Sequence, residues 1–114
     1  MKAILIDPFT RTVSEHNHSG DWRDISKTIR CGLFCVVYLN SMGDTLYLDD
    51  EGLYAPDQKY FRLPSRYPEM LAGRGLILGA DYAGDSTDCL ISVEEIEDEI
   101  KWVGDSIRPV YVFS

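Results

Sequence analysis

Positive charge is what this chain has least of. Lys and Arg total 11 against 19 Asp and Glu in 114 residues, a formal net charge of −8. The deficit is uneven: residues 1–40 carry five basic and four acidic side chains, and residues 41–114 carry six and fifteen. Such a surface repels phosphate backbones, because nucleic-acid affinity comes largely from Lys and Arg displacing counterions. It repels anionic lipid headgroups for the same reason. Direct nucleic-acid binding and membrane binding are therefore not expected. Cysteine is sparse, and its count of three is odd. Cys31, Cys35 and Cys89 make no disulfide framework and read as free thiols of a reducing compartment. Long hydrophobic runs are missing too. The N-terminal run Ala-Ile-Leu-Ile stops at Asp7-Pro8, shorter than a secretory signal requires. No window approaches the roughly 20 apolar residues of a membrane span. A cytoplasmic address is the expectation. No repeat, linker or low-complexity segment occurs.

Motifs that carry chemistry are also lacking. There is no Gly-x-Ser-x-Gly elbow for a nucleophilic serine. His16-x-His18 and Cys31-x-x-x-Cys35 supply ligand types for zinc. Zinc sites, however, pair cysteines more tightly, on turns that let the sulfurs converge. Both histidines fall in one polar loop, where a solvated surface is the default. The stretch from Asp81 to Asp88 has acids at positions 1, 5 and 8 and glycine at 4, a poor fit to a calcium loop. Gly73, Gly75 and Gly79 precede a strand and are mis-spaced for a dinucleotide cradle, so a tight turn and strand bends suit them better. No cofactor, no metal and no catalytic residue is expected.

What remains is an ordinary globular composition, 45% apolar and 26% charged. The length suits one domain that needs no staple. Residues 3–6 read as a strand, with residues 11–15 as its hairpin partner. Asp21 caps a helix over residues 22–31 that turns Trp22, Ile25 and Ile29 to one face and stops at Gly32. Residues 33–39, Leu-Phe-Cys-Val-Val-Tyr-Leu, form the most apolar strand, expected to be covered on both faces. It turns through residues 40–44 into a strand over residues 45–48, with Leu46 and Leu48 on one face. Short strands follow at residues 60–63, 76–78 and 89–91. Ser92 and Glu95 form a capping box. From there Val93, Ile96, Ile100 and Val103 predict a helical stripe ending at Gly104. Hairpins with separated helices indicate an α+β fold: a single domain over residues 1–103, mainly antiparallel sheet with two short helices. Residues 104–114 follow as a tail or an added strand.

Two acidic groups stand out. Asp49, Asp50 and Glu51 follow a strand, where adjacent acids commonly mark a solvated turn or discourage edge pairing. Glu94, Glu95, Glu97, Asp98 and Glu99 place five carboxylates within six positions. First-turn acids complement the helix dipole. The others exceed what capping needs, and the i, i+4 pair Glu95 and Glu99 costs a few tenths of a kcal/mol on an isolated helix. Solubility explains negative charge without a partner. An acidic surface also attracts a basic protein patch. The alternative expectation is a small-anion or nucleotide pocket built from the glycine segment and the loop over residues 81–88, which would make the chain a sponge or a small enzyme. Arginine suits phosphate, and Arg62, Arg66, Gly73, Arg74 and Gly75 are its expected ligand-binding residues.

Three segments together resemble a known family. They are KAILIDPF at the start, GDTLYLDDEGL over residues 43–53, and LAGRGLILGAD over residues 71–81 followed by SVEEIEDEI. In this order they resemble a family of small proteins of unknown function carried by tailed bacteriophages, prophages and other mobile elements. The resemblance covers residues 1–103. It implies no activity, and matches at Asp49, Asp50, Glu51 and Gly52 and at Leu71, Ala72, Gly73, Gly75 and Gly79 assign no role. It implies a setting, the cytoplasm of a bacterial host, where small acidic phage proteins commonly bind and inhibit host proteins. The expectation is a non-enzymatic accessory protein that binds a host protein. A nucleic-acid-binding defence complex of the CRISPR or restriction type is a candidate partner, met by a surface that copies phosphate charge. Asp49, Asp50, Glu51, Glu94, Glu97 and Asp98 are the expected contacts. A self-associating structural protein is a third class, favoured by exposed sheet edges that a sequence does not display. Oligomeric state is left open.

Overall fold

The computed structural model describes residues 1–104. The C-terminal strand or tail read at residues 104–114 lies, from residue 105 on, outside the described residues. The elements are β1 (Lys2–Asp7), β2 (Thr12–Asn17), α1 (Trp22–Ile29), β3 (Phe34–Tyr38), β4 (Thr45–Asp49), β5 (Tyr60–Arg62), β6 (Leu71–Ala72), β7 (Gly75–Ala80), β8 (Ser86–Thr87), α2 (Val93–Glu99) and β9 (Lys101–Trp102), with a 3₁₀ turn at Gly52–Tyr54. The fold is α+β, with antiparallel strand pairing throughout.

Two hairpins, β1–β2 and β3–β4, form the halves of the large sheet, and β7 slots between them. The order is β2-β1-β7-β4-β3, with β8 pairing β7 beyond the main path. Alternation sorts the side chains. Ala3, Leu76 and Leu78 face α1, where Ile25 and Ile29 cover them. Ile4, Ile6, Leu46, Leu48 and Ile77 face the opposite way. There they meet Phe61 and Leu71 of the second, three-stranded sheet, ordered β6-β5-β9, Leu63 just past β5, and Ile96 of α2. The large sheet is thus sandwiched between one helix and a small sheet plus helix. Leu46 and Leu48 share a face as expected, with Tyr47 on the other.

Several expectations are corrected. The most apolar strand is not covered on both faces. β3 lies at the sheet edge, with Leu33 and Tyr38 70% and 74% exposed. The doubly covered position belongs to β7, which runs through both glycines expected to bound it. Gly75 is required by close approach: a Cβ there would lie 2.8 Å from Leu46 Cδ1. Residues 89–91 are not a strand; β8 precedes them. Trp22 is exposed rather than packed on the sheet, with the Arg23 guanidinium 4.8 Å from its ring centroid. Helix α1 ends at Ile29, three residues before Gly32. Arg30 adopts the left-handed conformation (φ 58°), and Cys31 N–H donates to Ser26 O at 3.0 Å, closing a Schellman turn without glycine. Helix α2 has its capping box but stops at Glu99. Ile100 is extended because Lys101 and Trp102 pair with Arg62 and Phe61 in the small sheet. Strand pairing there overrides the helical stripe.

Two buried polar groups pin the connections. Asp44, 1% exposed, accepts from Leu90 N at 2.8 Å, Ile91 N at 3.0 Å and Asn40 Nδ2 at 3.0 Å. One carboxylate therefore ties the β3–β4 turn to the approach to α2. His18 is buried rather than solvated. Its Nδ1 accepts from Gly20 N at 2.9 Å, so Nε2 carries the hydrogen towards Thr28 Oγ1, 3.1 Å away. His16, expected in the same loop, belongs to β2.

Candidate functional site

The acidic turn is tied down by backbone hydrogen bonds. Asp50 N donates to Leu33 O at 3.0 Å, extending the β3–β4 ladder, and Asp49 Oδ1 accepts from Glu51 N at 3.0 Å. Gly52 is buried against β6: a Cβ there would lie 3.1 Å from Ala72 O. The backbone is held, and Asp50 and Glu51 project into solvent with Leu53 and Tyr54, the latter 86% exposed.

The acids of α2 divide by role. Arg66 Nε contacts both carboxylate oxygens of Glu99, at 2.9 and 3.0 Å, and Arg66 Nη2 lies 3.7 Å from Glu95. The like-charged pair that looked costly on an isolated helix is bridged by one guanidinium, which offsets part of its repulsion. Glu94, Glu97 and Asp98 remain exposed. Helix α2 packs by β2, at one edge of the large sheet, and the acidic turn lies by β3, at the other. The structure brings Asp49, Asp50 and Glu51 together, and Glu94, Glu97 and Asp98 together. It places the two groups towards opposite edges rather than in one patch.

The arginines diverge. Arg66 serves α2. Arg62 donates to Pro68 O at 3.2 Å. Arg74 lies 3.3 Å from Asp7 Oδ2 and 4.5 Å from the centroid of the Phe9 ring. Gly73, with φ +78°, makes the bend before β7, and Gly75 is already within that strand. Gly73 and Arg74 border a cleft of about 310 Å³ shared with Arg30 and Asp49.

Two further depressions flank the acidic turn. An open cleft of about 660 Å³, on the α1 side, sets Lys27 and Arg30 against Asp49 and Glu51. A groove of about 170 Å³ runs between β3 and β6, lined by Cys35, Val37, Leu53, Tyr67 and Met70, and among the described residues every charged one on it is acidic: Asp49, Asp50 and Glu69. The negative field reaches its neighbours. Burial, then Asp50, pushes the Cys35 thiol above its ordinary range. Burial, then Asp49, does the same to Cys31. The hydrogen bond to Glu69, 3.2 Å long, and that residue's charge raise Tyr67. Among the described residues, no cluster of three His, Cys, Asp or Glu side chains is placed to hold a metal. Among them too, no helix is long and apolar enough to cross a membrane.

Residues 1–102 match the model of the domain of unknown function DUF3846. The chain belongs to the DUF3846 family. The matched span takes in both sheets and both helices, so the acidic turn, the groove and the β3 edge all lie within the DUF3846 domain. No curated protein and no solved structure matches the chain.

The sequence reading missed the edge position of β3 and the groove beside it. The only available signal was the absence of charge from residue 31 to residue 43, which reads equally well as a buried strand.

Proposed function

We propose that this DUF3846 protein is a non-enzymatic binding protein that engages a basic surface of a partner protein through its exposed carboxylates. One observation carries the reading. Among the described residues, Asp50, Glu51, Glu94, Glu97 and Asp98 take part in no ion pair, whereas Asp7, Glu95 and Glu99 each have an arginine. Carboxylates left free on rigid elements offer a partner fixed negative charge at little ordering cost. The resemblance to phage-borne proteins supports a host protein as the partner. A defence component that itself grips nucleic acid would present the complementary basic surface. The commitment of Arg62, Arg66 and Arg74 to separate intramolecular contacts favours this reading over a nucleotide pocket.

The test is capture from a bacterial lysate on the tagged chain at low and moderate salt. A single stoichiometric partner that is released as salt rises supports the proposal, since screening weakens exposed charge pairs. Exchanging Asp49, Asp50, Glu51, Glu94, Glu97 and Asp98 for their amides should abolish capture while the chain stays folded. Undiminished capture by the folded variant would refute the electrostatic reading.

A further inference from the structure

We propose that β3 is a docking edge, at which a basic, extended segment of a partner protein adds as a further strand. The inference deepens the protein-binding reading and rests on it.

The backbone supplies the first argument. Leu39 N donates to Asp44 O, and Leu33 O accepts from Asp50 N, so residues 33 and 39 are hydrogen-bonded positions of the β3–β4 ladder. Antiparallel alternation then turns the N–H and C=O groups of Phe34, Val36 and Tyr38 outward. Among the described residues no strand pairs with that side. Natural sheets guard such edges with charge, proline or a bulge. Here residues 31–43 contain neither a charged residue nor a proline, and the β3–β4 register runs without a break. By contrast, β2 at the opposite edge carries Glu15 and His16.

The side chains supply the second. A strand added to β3 would alternate its residues between two surfaces. One is the exposed flank of Val36 and Tyr38, and the other is the groove beneath Cys35 and Val37. The apolar groove accepts apolar side chains. Its charged lining among the described residues is wholly acidic, which selects lysine or arginine nearby and disfavours an acidic strand. The cleft on the α1 side, with its balanced charges, makes no such selection.

The test uses the full chain and two short synthetic peptides with blocked ends, one alternating valine with lysine and one alternating valine with glutamate. The lysine peptide should bind and slow amide hydrogen exchange at Phe34, Val36 and Tyr38, and the glutamate peptide should not bind. Exchanging Asp50→Asn and Glu69→Gln together should weaken binding by about three- to tenfold, the range for a pair of rim charges. Val36→Pro should abolish it, because the Val36 N–H points away from β4 and its loss leaves the internal ladder intact. If that variant melts early, Val36→Lys, a natural edge guard, serves instead. Binding that spares these three amides, equal binding to both peptides, or no binding would overturn the inference. So would concentration-dependent protection of the same amides in the free protein, which assigns the edge to a second copy. Suppose a lysate partner is still captured by Val36→Pro but lost on neutralising Glu94, Glu97 and Asp98. The protein-binding reading then survives and the docking edge alone falls.

Discussion

Strands β3 and β7 look alike as text and behave as opposites in the molecule. FCVVY and GLILGA are both uncharged and apolar. In β7, residues 75–79 are buried, whereas Cys35, Val36 and Tyr38 of β3 are exposed. The difference lies in their neighbours. β7 has β1 and β4 on its two sides, α1 on one face and the small sheet on the other. β3 has β4 alone. The comparison teaches that an uncharged strand has two explanations, a place in the core or a surface awaiting a partner, and that hydrophobicity alone does not choose between them.

The comparison can be tested by truncation. Ile77→Ala in β7 removes a fully buried side chain and should cost about 2–5 kcal/mol in urea denaturation. Asp44→Ala should come next, at about 3 kcal/mol, because it strands the buried amide of Ile91 and the part-buried amide of Leu90. A loss below about 1 kcal/mol would show that water replaces the carboxylate and that this turn is not pinned. Ser92→Ala should cost about 1 kcal/mol by breaking the capping box, measured in the same way. Val36→Ala in β3 should change stability by no more than about 0.5 kcal/mol. A cost near that of Ile77→Ala would mean that β3 is covered in solution and would erase the contrast.

The smallest effect sharpens the contrast without touching stability. Cys35 at the edge and Cys89 in the core both have thiols raised by burial, but Asp50 adds to the first and Lys2 opposes part of the second. A raised pKa leaves less thiolate at a given pH, so alkylation of both should reach its midpoint above the pH of a free thiol. Asp50→Asn should lower the midpoint for Cys35 and leave Cys89 unchanged, as read by mass spectrometry of labelled peptides.

Local signals were legible where a few neighbouring residues decide the outcome. Asp21 and Ser92 cap their helices because a side-chain oxygen three or fewer residues away satisfies a free amide. The β3–β4 hairpin followed from turn residues flanked by apolar runs. Signals failed where distant partners compete. The stripe from Val93 to Val103 promised three turns of helix, and the pairing of β9 with β5 ended it at Glu99. Gly32 looked like the stop of α1, and Arg30 took that role. The candidate site was half legible. Its acidic residues could be named from their clustering. Their division into fold-stabilising and free acids could not, because Arg66 is 33 residues from Glu99 in the chain.

The sequence by itself determined the class of the molecule. Alternating apolar residues, turn chemistry and caps act over a few positions, and they were enough for a small antiparallel α+β domain with an acidic surface. The tertiary structure alone decided which apolar strand is enclosed, which carboxylates pair with arginines and which strand, among the described residues, lies at an edge. Those outcomes depend on strand order and on contacts between residues far apart in the chain, and no local pattern encodes the neighbour that a strand will find.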